Sequence, residues 1–186
     1  IVPDIGIEAE VLSIDEILKI ENEFCEGVIQ AFDSGFKIVE MHLGHGYLLH
    51  EFMSAHMNRR DDEYGGSKQN RLKIVKNIFN KIEKKSKHAI KNIGARISAN
   101  DFIEKGLDLV ENKELINFLD NKNIAYYSVT AGIYETAKQK YLKMKEGSYW
   151  EYANNLKKMT QTPIIAQGNI TSLELGEMIL KKNMSD

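Results

Sequence analysis

The alternation of strand-like and helix-like stretches constrains this chain more than any other feature. Phe36 to His42 has the period of a short strand, with Phe36, Ile38, Glu40 and His42 on one side and Lys37, Val39 and Met41 on the other. Ala89 to Ser98, Ile124 to Thr130 and Pro163 to Gln167 read as three further strands. Before the first strand, Ser13 and Glu16 form an S-x-x-E capping box, and Ile14, Ile17, Ile20, Phe24, Val28 and Phe32 follow at helical spacing up to Gly35. Helices are predicted at about Ser67 to Lys85, Glu111 to Lys122, Tyr149 to Met159 and Ser172 to Lys182. The order is one helix and then repeated β-α units. Strands joined through helices lie parallel, with right-handed crossovers. The fold class is therefore α/β, either half of a (β/α)8 barrel or a small doubly wound sheet. In both, chemistry sits beyond the carboxyl ends of the strands.

The distinctive residues fall at those ends: His42, His45 and Tyr47 after the first strand, Arg96 and Ser98 at the end of the second, Thr130 and Gly132 after the third, Gly168 and Asn169 after the fourth. His42 and His45 make an H-x-x-H, but zinc needs further ligands, and there is neither a cysteine pair nor an H-E-x-x-H helix. No metal site is expected. Imidazoles can instead donate hydrogen bonds to a carbonyl or an oxyanion, or be satisfied locally by backbone. Tyr47 follows Gly46 directly, which favours the mouth of the site over the core, and a phenol there can serve as a proton donor. Arg96 ends an apolar strand, so its cation needs either Glu40 or an electron-rich ligand. Gly168-Asn169 before a helix offers a phosphate cradle of low specificity. The run Asn58 to Glu63, with Asn70 and Arg71, reads as a loop that pairs with itself and anchors the mouth. Ala131 to Gly147 is long enough for a lid.

Composition narrows the function. At 186 residues with 42% hydrophobic and 28% charged residues, the chain can bury one sizeable core, or be a piece of a larger domain. A formal charge of -2 with no basic tract gives no footing for nucleic acid. No apolar run approaches the roughly 20 residues of a membrane helix, and residues 1 to 10 do not show a basic-then-apolar pattern. The single Cys25 lies in a helical pattern and reads as a buried, inert thiol, so a cytoplasmic, reduced setting is expected. With no G-x-G-x-x-G, Walker sequence or G-x-S-x-G, dinucleotide, P-loop and serine-hydrolase readings fall away.

The stretch HLGHGYLLHEFMSAHMNRRDDEYGGSKQNR resembles, long and without gaps, the old yellow enzyme family of FMN-dependent NAD(P)H:flavin oxidoreductases. GARISANDF, SVTAGIYE and PIIAQGNI are similar to that family's fifth, sixth and seventh barrel strands. The resemblance implies a (β/α)8 TIM barrel truncated to about strands 4 to 7, a single partial domain over residues 1 to 186 without strands 1 to 3 and 8. It implies FMN as cofactor and NAD(P)H as reductant, with Arg96 beside the anionic edge of the flavin and Gly168 and Asn169 at its phosphate. His42 and His45 would bind the oxygen of a small-molecule substrate, and Tyr47 would protonate it as hydride reaches an activated carbon-carbon double bond. Some relatives carry an iron-sulfur cluster after the barrel, a possibility for a longer parent alone. With about half of the barrel missing, the isolated chain is expected to be inactive, to bind FMN weakly or not at all, and to self-associate through its open edges. Two rival readings stand beside this one: an inert half-barrel that only self-associates, and a flavin-free barrel lyase.

Overall fold

Ser13 starts the first helix as its capping box predicts: its hydroxyl accepts the Glu16 N–H, and the Glu16 carboxylate accepts the Ser13 N–H at 2.7 Å. The structure is a computed structural model that describes residues 10–137 and 149–186. Helix α1 is Ile14–Asp33, and Ile17, Glu21, Cys25 and Val28 form its buried stripe. It packs mainly on α4, Lys73–Lys85, whose buried side is Ile74, Val75, Ile78, Phe79 and Ile82. Between these helices the Glu21 carboxylate is fully buried. It accepts from the Tyr64 hydroxyl (3.0 Å) and Asn77 Nδ2 (2.8 Å) and pairs with Lys81 Nζ (3.0 Å). Burial first, and that carboxylate second, push the Tyr64 phenol up to about 12. Helix α3, Lys68–Arg71, is separated from α4 only by Leu72, so the single predicted helix is broken at one residue.

Four strands follow in sequence: β1 Val39–Leu43, β2 Ile93–Ser98, β3 Tyr126–Thr130 and β4 Ile164–Ile165. All pair parallel, in the order β1-β2-β3-β4. A doubly wound sheet reverses its order at a switch point. The uninterrupted order, with α4 and the short α5, Lys87–Ile90, between β1 and β2, α6, Lys113–Asn121, between β2 and β3, and α8, Trp150–Lys157, between β3 and β4, is that of a (β/α)8 barrel segment. Helix α9 is Leu173–Lys181. Met41, Leu43, Ala95, Ile97, Tyr127, Val129 and Ile164 face the helices, and all are buried in one core with the apolar sides of α4 and α6. The other face carries Glu40, His42, Arg96 and Ser128, where side chains of opposite parity must point.

All four predicted strands are longer than the observed ones, β3 by its first two residues. β1 starts at Val39, because Gly35 turns the chain at φ +96 and leaves Phe36 and Ile38 exposed at 65% and 51%. Ahead of β2, Ser86 accepts the Ala89 N–H and caps α5 in place of the first predicted strand residues. β4 is cut to two residues, and its outer edge is bonded to Asp186, which accepts from Ile164 N (3.0 Å) and donates to Ile164 O (2.8 Å). The predicted lid is described only over 131–137, where Tyr134–Ala137 forms α7; its remainder, 138–147, lies outside the described residues. The run around Asn58 to Glu63 does pair with itself. Arg60 holds Asp62, Asn58 Nδ2 donates to the Phe52 and Tyr64 carbonyls, and Arg71 reaches the carbonyls of Met53 and Gly66. Among the described residues no helix is long and apolar enough to cross a membrane.

Candidate active site

Past Leu43 the chain makes a tight turn that presents three ring side chains. His45 adopts φ 62 and Gly46 φ 80, both left-handed. Gly44 leaves room for the neighbouring strand, since a Cβ there would lie 3.2 Å from Ser98 Oγ. Two side chains, one from β2 and one from β3, then fasten His45: its N–H donates to Ser98 Oγ at 3.0 Å, and its Nε2 lies 2.6 Å from Thr130 Oγ1. The His42 ring centroid is 5.2 Å from that of His45 and 5.4 Å from that of Tyr47. Tyr47 is the N-cap of α2, Leu48–Met53, and 62% exposed. The H-x-x-H-G-Y spacing thus becomes one cluster of three rings at the carboxyl end of β1.

Arg96 is His42's neighbour in register on β2, and Ser128 is Arg96's on β3. Equal register in parallel strands puts these side chains on the same face. Arg96 Nε lies 2.8 Å from Glu40 Oε1, an ion pair whose N–H is not aimed along the line of contact. Both partners are partly exposed, so the pair is a positional device more than a source of stability. Farther along the row, Gln167 Nε2 donates to Ser128 Oγ at 2.6 Å, which brings the end of β4 onto the same face.

This setting disfavours the charged form of both imidazoles. Burial, then the Arg96 cation, holds His42 below the usual histidine value, with Glu40 opposing. Burial, then His42 and Arg96, does the same to His45. A neutral imidazole still carries one N–H, which can donate to an electron-rich oxygen.

Gly168 and Asn169 follow β4 in a left-handed turn, at φ 97 and 54. They do not open α9 directly, because Ser172 is its cap. Gly168 also has a packing reason for lacking a side chain: a Cβ would lie 2.7 Å from Tyr149 Cδ2. Sequence reasoning named Ser98 and Thr130 only by their position at strand ends and gave them no partner. It missed a buried pair altogether. His50 Nε2 lies 3.0 Å from Asp101 Oδ2, both side chains fully buried, and the same oxygen accepts the Leu107 N–H at 2.6 Å. No local pattern links residues 51 apart; the one hint was a histidine on the apolar side of α2.

Comparison with known proteins adds an independent line. The family model described as the NADH:flavin oxidoreductase / NADH oxidase family matches residues 5–186. An NADH oxidase of Thermoanaerobacter brockii is 32% identical over 187 residues, 98% of this chain and 28% of that protein. An NADPH dehydrogenase of Bacillus subtilis (strain 168) is 27% identical over 175 residues, 94% of this chain and 50% of that protein. Among solved structures, a 2-naphthoyl-CoA reductase in complex with 2-naphthoyl-CoA superposes with a TM-score of 0.84 at 24% identity, covering 95% of this chain and 27% of that one. An old yellow enzyme homologue from Zymomonas mobilis gives 0.73 at 22% identity, covering 96% and 48%. At these identities the two structures speak to the fold alone. The chain spans about half, or less, of the length of the curated relatives it matches.

Proposed function

The chain belongs to the NADH:flavin oxidoreductase / NADH oxidase family, and from that premise we propose that its polar sheet face is the substrate side of an FMN-dependent ene-reductase. The observation that carries the reading is the convergence of His42, His45 and Tyr47 beside Arg96 at the strand ends. The residues fit a flavin on one specific ground. Arg96 is ion-paired with Glu40 at Nε without a hydrogen bond there, and its terminal nitrogens bond to no described residue, so a planar ring with an electron-rich edge would find guanidinium donors still to be met. Gly168 and Asn169 would serve its phosphate, supported by their place at the end of β4 and offset by the packing need at Gly168.

FMN, when bound, supplies two-electron hydride carriage between NAD(P)H and an alkene conjugated to a carbonyl or nitro group. The remaining roles fall to this chain's side chains. His42 and His45 donate to the substrate's oxygen, which gains negative charge as the β-carbon takes up hydride. Tyr47 gives its phenolic proton to the α-carbon, so the double bond ends as two new C–H bonds, and the phenolate regains a proton from water. Arg96 holds the electron-rich edge of the ring.

The test begins with an FMN titration of the chain, where no uptake would leave the inert half-barrel standing, and continues on protein that holds flavin with rapid-mixing kinetics using NADPH or NADH and then 2-cyclohexenone. Tyr47→Phe should leave reduction of the flavin by the nicotinamide intact and slow alkene reduction by about 10²-fold or more, the range of a lost general acid. Undiminished alkene reduction in Tyr47→Phe would remove the proton-donor assignment.

A further inference from the structure

Thr130 is 4% exposed, and its hydroxyl has one hydrogen-bond partner among the described residues, the Nε2 of His45 at 2.6 Å. A hydroxyl brings one hydrogen to that contact and a neutral imidazole brings one N–H, on either nitrogen. If Nε2 carried it, Nε2 would donate to Thr130 Oγ1, and the hydroxyl's own hydrogen would be buried without an acceptor. An unsatisfied buried donor is costly. If Nδ1 carries it, the hydroxyl donates to Nε2 and both groups are satisfied.

The second hold on His45 fixes where the ring sits. Its N–H donates to Ser98 Oγ, and Ser98 Oγ in turn donates toward Gly132 O at 3.4 Å, within a left-handed turn that few other conformations can replace. With the backbone pinned by Ser98 and Nε2 engaged by Thr130, Nδ1 is the nitrogen left without a partner among the described residues.

Resting on the reading of His45 as a donor to the substrate oxygen, we infer that Thr130 is a positioning residue whose hydroxyl donates to His45 Nε2 and holds the imidazole in the Nδ1–H tautomer. The consequence is chemical. In the other tautomer, Nδ1 is a bare lone pair and repels a carbonyl oxygen; in this one it is the donor that oxygen requires. Thr130 thus decides, from β3, whether His45 can polarise a substrate at all.

The test is long-range 1H–15N NMR of the chain with 15N-labelled histidine, at about pH 8 where imidazoles are neutral. His45→Asn identifies the His45 signals among the five histidines. The wild type should show Nδ1 protonated. Thr130→Val should move the proton to Nε2, the form free histidine prefers, and Thr130→Ser should return it. A wild type with Nε2 protonated, or a Thr130→Val chain that keeps the Nδ1–H pattern, overturns the inference. If Thr130→Val does not fold, judged by circular dichroism, the wild-type and Thr130→Ser patterns still decide it. The measurement needs neither flavin nor turnover, so its failure is separable from failure of the Tyr47 test.

Discussion

Replacing Asp101 with leucine should cost far more than its distance from the ring cluster suggests. Its Oδ2 accepts from both His50 Nε2 and the Leu107 N–H, and all of this is sealed from water. Removing the carboxylate strands the Leu107 amide and the His50 ring, each at about 1–3 kcal/mol, which agrees with about 3–5 kcal/mol for breaking a buried pair from one side. His50→Leu alone should cost a similar amount, because it leaves the carboxyl group facing an apolar side chain. The double variant removes both ends together and leaves only the Leu107 amide stranded, so it should lie at or below the larger single, about 1–3 kcal/mol. Urea unfolding measures all three, with midpoints moving at constant slope, and the difference is the coupling energy of the pair. The site should feel the loss as well. His50 sits in α2, which Tyr47 caps, and the loop behind Asp101 carries the carbonyls that accept from Gly132 N and Thr136 Oγ1. Costs that simply add in the double variant, or an Asp101→Leu chain within about 1 kcal/mol of wild type, would refute the reasoning.

Acid should weaken the fold through His42 and His45. Both are held below the ordinary histidine value of 6.5, so between that value and their lowered ones the unfolded chain binds more protons, and stability rises with pH. Their contribution is complete above about pH 7 and is lost as pH falls through the lowered values; urea midpoints across that window should flatten in a His42→Gln/His45→Asn variant. If the chain takes up FMN, Arg96→Met should weaken that binding by about tenfold or more, close to 1.4 kcal/mol, with Arg96→Lys in between, as read by quenching of flavin fluorescence; equal affinity in all three would place the ring elsewhere. Gly168→Ala should destabilise by about 1–3 kcal/mol, since the residue sits at φ +97 and its Cβ would meet Tyr149 at 2.7 Å. An unchanged thermal midpoint would mean that Tyr149 moves freely aside.

What could be read in the sequence was local. The capping box at Ser13, the buried stripe of α4 and the opposition of Met41 to His42 in β1 depend on neighbours within a few residues, and each appears in the structure as its spacing requires. Contacts made across strands had no such signature. The His45 to Thr130 contact spans 85 positions and the Tyr64 to Glu21 bond 43. Both are set by strand register and helix packing, which a single sequence does not state. Strand ends fared worst for the same reason: Phe36 and Ile38 have strand-like alternation, but Gly35 has already turned the chain away from a partner.

Arg96 illustrates how the two kinds of information combine. Its place at the end of an apolar strand demanded an anionic partner, and the sequence left two, Glu40 or a ligand, as alternatives. The structure shows the first of them. Glu40 and His42 lie on the same side of β1, so the carboxylate reaches Arg96 at Nε while the ring cluster lies one residue pair nearer the carboxyl end. A guanidinium is a planar fork with donors on more than one edge. Paired with Glu40 at Nε, it bonds to no described residue through its terminal nitrogens, so in the proposed reading the flavin would meet those nitrogens while Glu40 keeps the cation on this face of the sheet.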